Sequence, residues 1–218
     1  LPTDRTLTRG IRRAEQRIAS GEYTQALSFL DEALGRPEDV FVSTNSEGEF
    51  AGLKATAAAM LARLPREGLL AYEAAYAPTA KRELADAVST GDADELRRIS
   101  RRYFQTPAGR EATLLLAIYE ADAGRHLSAA LAYQQLLDSP EARSQFDPFL
   151  SISAAASWIA AQQHEKATET IDQLVAQFGS RVRWGGREWD FTDADESIEQ
   201  LSQAVGAPQR SAPMGSGE

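Results

Sequence analysis

The feature that most constrains this chain is a repeated spacing of small residues, glycine and proline. A small residue is followed by glycine seven residues later, by a second small residue at twelve and by proline at twenty-three, and the copies start at Ala14, Leu84, Ala117 and Ala155. Small side chains let two antiparallel helices approach closely, glycine closes the first helix and proline stops the second. The spacing therefore predicts a series of helical hairpins.

The copies differ in how closely they follow this pattern. Those spanning residues 14–37 and 117–140 keep all four positions. In the second copy leucine replaces both small residues, and in the fourth Gln162 replaces the glycine. The first and second copies start 70 residues apart, so the interval holds a degenerate copy or an insertion. The alternative is an ordinary helical bundle in which glycine and proline simply end helices.

Outside the turns, apolar residues recur three and four apart, which is the helical period. Breakers, Pro78 among them, are predicted to divide the chain into segments of about a dozen to twenty residues. Four polar residues are positioned to accept a hydrogen bond from a first-turn N–H group, and they are Asp92, Thr106, Ser139 and Asp147.

Two regions depart from the helical pattern. Residues 37–50 alternate only weakly and contain the turn-forming residues 45–48, so we predict an extended loop. Gly185 and Gly186 separate two short runs of aromatic and β-branched residues, which predicts a β-hairpin over residues 181–191. A helix from about Asp193 to Val205 is predicted to follow.

The offsets of the copies resemble those of the tetratricopeptide repeat, a helix-turn-helix of about 34 residues. The resemblance implies an all-α fold: a tetratricopeptide-like right-handed α-α superhelix of stacked helical hairpins, with a small β-hairpin near residues 181–191. The chain would then comprise three parts. A solenoid spans residues 1–178, the β-hairpin and a terminal helix span residues 179–205 and pack on the solenoid, and a linker spans residues 206–218.

A second resemblance covers most of residues 10–190 and is carried by segments 38–42, 53–61, 64–68, 71–73, 101–109 and 124–130. These segments are similar to the N-terminal helical region of large bacterial proteins that continue into a PQQ-binding-like (BamB-like) β-propeller. The resemblance contains no catalytic signature. It implies a periplasmic or otherwise extracytoplasmic location, and it presents the chain as a fragment of a longer protein.

Composition excludes several kinds of site. Without cysteine the chain has no disulfide, zinc–thiolate site or thiol nucleophile. Its net charge of −9 opposes binding to phosphate backbones. It contains no Walker A loop, dinucleotide-binding fingerprint or nucleophile elbow, and no run of about 18 apolar residues that would span a membrane. We predict no catalytic residue, no cofactor and no nucleic-acid partner.

The histidines His126 and His164 are the first suspects for metal binding or acid–base chemistry. Both occupy the repeat position that holds Tyr23 in the first copy, at the start of a second helix. This common register predicts that they pack between helices. A metal site that used both would have to bridge two adjacent repeats, so we predict no bound metal.

Four arginines occupy less than two helical turns, at Arg97, Arg98, Arg101 and Arg102. Acidic residues lie just upstream, and acids at the start of a helix with bases towards its end suit the helix dipole. We interpret the stretch as a solvated face, with an acidic partner surface or nucleic acid as alternatives. Trp184 and Trp189 are predicted to anchor the β-hairpin on neighbouring helices, with an aromatic carbohydrate platform as the alternative.

These features predict a non-catalytic protein-protein interaction or scaffold module of a larger cell-envelope protein. The alternatives are the frame of a hydrolase acting on an envelope glycan, or a carbohydrate-binding module. Two or more buried, facing carboxylates in a cleft would favour the hydrolase.

In tetratricopeptide-like stacks the concave groove is lined mainly by the first helix of each hairpin. The corresponding positions are mostly apolar here, which predicts a groove covered by residues 53–76, by the hairpin or by a propeller. The charged positions left at its rim are the predicted contacts for a protein partner or for the protein's own propeller, and they are Glu15, Lys81, Glu111 and Asp122.

Overall fold

The computed structural model describes residues 5–43 and 50–206. They form eleven helices and two small antiparallel sheets, so the chain is mostly helical, as the sequence predicts. The elements in chain order are α1 (Arg5–Ala19), α2 (Tyr23–Gly35), β1 (Phe41–Ser43), β2 (Phe50–Gly52), α3 (Leu53–Ala62), α4 (Arg66–Thr90), α5 (Ala93–Tyr103), α6 (Pro107–Asp122), α7 (His126–Leu137), α8 (Pro140–Phe146), α9 (Phe149–Ala160), α10 (His164–Phe178), β3 (Arg181–Trp184), β4 (Arg187–Asp190) and α11 (Ala194–Gly206). The chain divides into two compact units, Leu1–Leu116 and Ala117–Glu218.

The four predicted repeat turns share one backbone geometry. At the turn position φ is +76° at Gly21, +68° at Gly91, +74° at Gly124 and +60° at Gln162. The next amide donates to the carbonyl five residues earlier: Glu22 N to Arg17 O at 2.8 Å, Asp92 N to Ala87 O at 3.1 Å, Arg125 N to Glu120 O at 2.8 Å and Gln163 N to Trp158 O at 2.9 Å. Each turn is therefore a Schellman motif, including the one that lacks glycine.

The small residues of the repeat are buried. Both alanines of the first, third and fourth copies are among the most buried side chains of the protein: Ala14, Ala26, Ala117, Ala129, Ala155 and Ala167. Helix α1 packs on α2, and α9 packs on α10. Close approach of α1 to α2 and of α9 to α10 explains why the positions on these helices carry alanine.

Capping side chains fix where four helices begin. Asp92 Oδ1 accepts from Asp94 N at 2.9 Å and from Glu95 N at 3.1 Å. The other three acceptors also bind a first-turn amide: Thr106 Oγ1 that of Gly109 at 3.1 Å, Ser139 Oγ that of Ala142 at 3.3 Å and Asp147 Oδ1 that of Ser151 at 3.0 Å. All four predicted caps are confirmed.

Two hydrophobic clusters form the core of the first unit. One joins α1, α2, α3 and the start of α4 around Leu30, Leu53 and Tyr72. The other joins the second half of α4 to α5 and α6 around Ala80 and Ile99. Because α4 contributes to both clusters, it connects the two halves of this unit.

Pro78 does not end a helix, contrary to the prediction. Helix α4 runs for 25 residues and carries Pro78 in its interior. Tyr72 and Ala80 are fully buried on either side of this proline. Burial on both sides holds the helix together although proline has no N–H group to donate to the preceding turn.

Residues 37–50 are not simply an extended loop. Strands β1 and β2 pair antiparallel, with Val42 opposite Ala51. Val42 is buried against the first unit, and Asp39 Oδ1 accepts the amide of Lys54 at 3.0 Å. The weak alternation therefore marked a strand, and the burial of one side chain stabilises the pair. The turn predicted at residues 45–48 lies outside the described residues.

In the second unit α9 is the central helix, packed against α7, α10 and α11. The predicted β-hairpin is present as β3 and β4, and φ is +62° at Gly185 and +75° at Gly186, as a tight two-residue turn requires. The predicted terminal helix is α11, at whose start Asp193 Oδ1 accepts from Glu196 N at 3.0 Å. Most of the predicted linker, residues 207–218, lies outside the described residues.

Across the described residues, no helix combines the length and the apolar character that crossing a bilayer demands.

Candidate interaction site

The four predicted contact residues are exposed and lie on three helices. Glu15 is on α1, Lys81 is on α4, and Glu111 and Asp122 are on α6. Within residues 5–43 and 50–206, no hydrogen bond or ion pair joins any two of them. The structure therefore shows four exposed positions with no direct interaction among them.

The apolar positions of the predicted groove are covered in the first and fourth copies. Ile11, Ile152 and Ile159 are buried. In the first copy, strand β1 lies against α1, and Ser43 N donates to Thr8 Oγ1 at 3.4 Å. In the third copy Leu114 and Ile118 are half-buried.

Two elements cover α9 in the fourth copy. Helix α11 packs along it, and the β-hairpin places Trp184 against Phe149 with ring centroids 5.0 Å apart. The hairpin was a predicted cover for this groove. Helix α11 was not predicted to cover this groove, although it directly follows the β-hairpin in the sequence.

The second copy is different, because its first helix, α4, keeps an apolar face open to solvent. Leu70 is 56% exposed and Val88 is 55% exposed. Ala74, Lys81 and Ala85 lie between them and are exposed as well. Their spacings of three, four and seven residues place all five side chains on one side of the helix. We call this surface, made by Leu70, Ala74, Lys81, Ala85 and Val88, the α4 face.

The α4 face is apolar except at its centre. Lys81 lies between the two large apolar side chains, nearer to Val88, and forms no ion pair within the described residues. In the second copy the repeat offsets place the groove positions from six residues before Leu84 to five after it, and these include Lys81, Ala85 and Val88. Leu70 and Ala74 lie before this window, so the offsets missed them; the helical period continued back through Pro78 would have found them.

A buried polar and aromatic cluster holds α4 in place. Arg102 on α5 binds Asp31 on α2 through two hydrogen bonds, Nε to Oδ1 at 2.7 Å and Nη2 to Oδ2 at 2.8 Å. Tyr72 on α4 donates its hydroxyl to the Arg102 carbonyl at 2.7 Å. The Arg102 guanidinium also lies 5.1 Å from the centre of the Tyr103 ring. Three helices therefore meet at one arginine.

Ionisation in this cluster follows from burial and pairing. Burial raises the pKa of the Tyr72 hydroxyl far above its ordinary value, with a further contribution from the Asp31 carboxylate. The hydrogen bonds to Asp31 raise the pKa of Arg102. The raised pKa values keep the Tyr72 hydroxyl neutral and the Arg102 guanidinium charged near neutral pH.

The interpretation of the arginine stretch as a solvated face is wrong for two of its four members. Arg102 binds Asp31, and Arg98 binds Glu83 at 3.0 Å and Glu95 at 2.7 Å. Arg97 and Arg101 are exposed. Two of the carboxylates that bind Arg98 and Arg102 lie on other helices, α4 and α2. The residues adjacent to the arginines in the sequence therefore did not predict these ion pairs.

The histidines are divided by the structure. His126 begins α7 and is half-buried, whereas His164 begins α10 and is exposed. The predicted packing role is therefore wrong for His164, because this residue lies at the start of α10, outside the part of the helix that is buried. Within the described part of the chain, no group of three or more His, Cys, Asp or Glu residues is arranged to hold a metal ion.

The two tryptophans of the β-hairpin have different environments. Trp189 is buried, whereas Trp184 is 38% exposed at the tip of β3 and contacts Phe149. Tyr133 meets Phe149 edge to face, with centroids 6.2 Å apart. The aromatic residues thus connect the hairpin to α9 and α7, and one ring edge reaches solvent.

Comparison with known protein families, with characterised proteins and with solved structures gives no match to this chain.

Proposed function

We propose that this chain is a non-catalytic protein-protein interaction module of the tetratricopeptide-like type, with the α4 face as its contact surface. The α4 face carries the proposal because Leu70 and Val88 are more than half exposed on a helix that is buried along its opposite side. Exposed apolar side chains on one continuous face are typical of surfaces that bind another protein.

The four Schellman turns at equivalent positions support the tetratricopeptide-like assignment, since one backbone geometry recurs at the same offset in every copy. Lys81 at the centre of the α4 face supplies a single charge that favours partners with a carboxylate opposite an apolar strip. The resemblance to propeller-bearing bacterial proteins supports a periplasmic or other extracytoplasmic scaffold. The partner is then a separate protein or the propeller of the same polypeptide.

Site-specific photocrosslinking tests the proposal in cells that produce the full protein. A photoreactive amino acid replaces Lys81 or Ala85 on the α4 face, and exposed residues on α10, Glu165 and Gln177, serve as matched controls. We expect discrete adducts from the α4 positions, with the crosslinked peptide identified by mass spectrometry. Adducts that are absent, or equally abundant from the α10 positions, would show that the α4 face binds no protein.

A carbohydrate-binding function is the second candidate, and Trp184 is the observation that favours it. An exposed indole next to Phe149 offers a flat apolar surface to a sugar ring. Trp189 is buried and contributes nothing to such a platform. Soluble envelope oligosaccharides should change tryptophan fluorescence in the native chain and not in Trp184→Phe if this second candidate is correct.

A further inference from the structure

Helix α1 has two faces of opposite character. Its apolar face enters the core of the first unit through Ile11 and Ala14, both 2% exposed. Its other face carries Arg9, Arg12 and Arg13, all exposed. These three arginines recur at intervals of three and four residues, so they lie on one side of the helix within about one turn. We call this surface the α1 arginine face.

The arginines of this face have no carboxylate partner among the described residues, unlike several arginines elsewhere in the chain. Elsewhere Arg17 binds Glu22, Arg102 binds Asp31 and Arg125 binds Glu120. Within the described residues, Arg9, Arg12 and Arg13 form no ion pair. The chain has 32 acidic residues against 23 basic ones, so carboxylates are in excess, and still none among the described residues forms an ion pair with this face.

The electrostatics of α1 are unfavourable in the isolated chain. Arg9 has a like charge three residues away at Arg12 and four residues away at Arg13, and both spacings are repulsive on a helix. The first turn of α1 contains no acidic residue that could pair with Arg9 or Arg12 from within the helix. An anion bound across the three guanidinium groups would relieve this repulsion.

The charge distribution indicates which anion fits. Five arginines and one glutamate give α1 a net charge of +4. The whole chain carries −9, which leaves −13 on the remainder. An extended polyanion such as nucleic acid or an anionic bilayer would be repelled by that remainder. A short carboxylate-bearing segment can reach the basic face alone, because charges are screened beyond about 8 Å at physiological salt.

We propose that the α1 arginine face binds an acidic segment of a partner protein. The planar fork of arginine pairs with carboxylates through two parallel hydrogen bonds, and the spacing along α1 matches carboxylates one helical turn apart. The inference rests on the proposed interaction function, to which it adds a second surface and the chemistry of its partner.

Fluorescence anisotropy of the full chain with a labelled, glutamate-rich helical peptide of about four turns tests this proposal. The test variant combines Arg9→Gln, Arg12→Gln and Arg13→Gln. The matched control combines Arg63→Gln, Arg66→Gln and Arg82→Gln, which removes the same charge from exposed positions off α1. We expect the test variant to bind the peptide at least about tenfold more weakly and the control to bind within about twofold of the native chain.

Three results would overturn the proposal: no binding by the native chain, equal weakening in both variants, or binding of duplex DNA or anionic vesicles as tight as binding of the peptide. Thermal unfolding provides a second readout, because loss of repulsion should leave the melting temperature of the test variant unchanged or higher. If peptide binding fails while Lys81 and Ala85 still crosslink a partner, the α1 assignment is wrong and the proposed function stands.

Discussion

At the scale of single residues, two positions around the repeat turn carry an ion pair in either orientation. Three residues after the first small residue and eight residues after it, the first copy has Arg17 and Glu22, and the third copy has Glu120 and Arg125. The backbone hydrogen bond of the Schellman motif joins the same two positions. The turn therefore brings these two side chains together and accepts either sign at either position, although it also forms without an ion pair, with Ala87 and Asp92 or with Trp158 and Gln163 there.

Gln162 provides the first prediction, because it adopts the left-handed conformation that glycine occupies in the other three turns. A residue with a side chain adopts this conformation at a cost of roughly 1–2 kcal/mol. Glycine removes this cost but also makes the unfolded chain more flexible, which offsets part of the gain in stability. Gln162→Gly should therefore raise the free energy of unfolding by about 0.5–1 kcal/mol.

The adjacent Gln163 has φ of −102°, an ordinary value, and supplies the matched control. Gln163→Gly should give no comparable gain, since it adds flexibility to the unfolded chain and relieves no backbone strain. Urea denaturation of both variants measures the difference. Equal effects at positions 162 and 163 would contradict the argument from backbone conformation.

At the scale of elements, α4 is the helix on which both the fold and the proposed contact surface depend. It belongs to two hydrophobic clusters, its Tyr72 hydroxyl binds the α5 backbone, and its outer side forms the α4 face. Pro78 lies in this helix and interrupts its hydrogen-bond ladder. The contacts on both sides of Pro78 must offset the lost hydrogen bond.

Pro78→Ala should therefore stabilise the protein, by about 1–3 kcal/mol, because the alanine restores a backbone donor inside α4. Pro140→Ala is the control. This proline is the first residue of α8, where a backbone N–H group would have no acceptor within the helix. Chemical denaturation should show a gain for the first substitution and none for the second. A loss of stability in Pro78→Ala would mean that the backbone conformation imposed by the proline is itself required for packing.

At the scale of the whole molecule, buried tyrosines make stability depend on alkaline pH. Burial raises the pKa of Tyr72 and of Tyr133 well above the ordinary value of about 10. Above pH 10 the unfolded chain releases these protons while the folded chain retains them. The unfolded state then binds fewer protons than the native state, so stability falls as pH rises.

The free energy of unfolding should accordingly decrease above about pH 10, by up to about 1.4 kcal/mol per pH unit for each buried tyrosine. Tyr72→Phe or Tyr133→Phe should make the decline shallower, whereas Tyr119→Phe, at an exposed position, should leave it unchanged. Denaturation midpoints measured between about pH 8 and 11 test this. If stability declines identically in all three variants, groups other than these tyrosines cause the decline.

Features that depend on nearby residues were predictable from the sequence. The helical period, the four turns, the four caps and the Gly185–Gly186 hairpin each follow from backbone preferences or from side chains within a few positions. Of the predicted contact residues, Lys81 lies among exposed apolar side chains on α4 in the structure. Glu15, Glu111 and Asp122 were located only as exposed positions.

Tertiary structure decided the features that depend on remote residues. Pro78 stays inside a helix because Tyr72 and Ala80 are buried on either side of it, and Val42 forms a strand because its side chain enters the core. Arg102 binds Asp31, which is 71 residues away in the chain. In each case the free energy of burial or pairing with a distant group exceeds a local preference, and a local sequence pattern carries no information about that group.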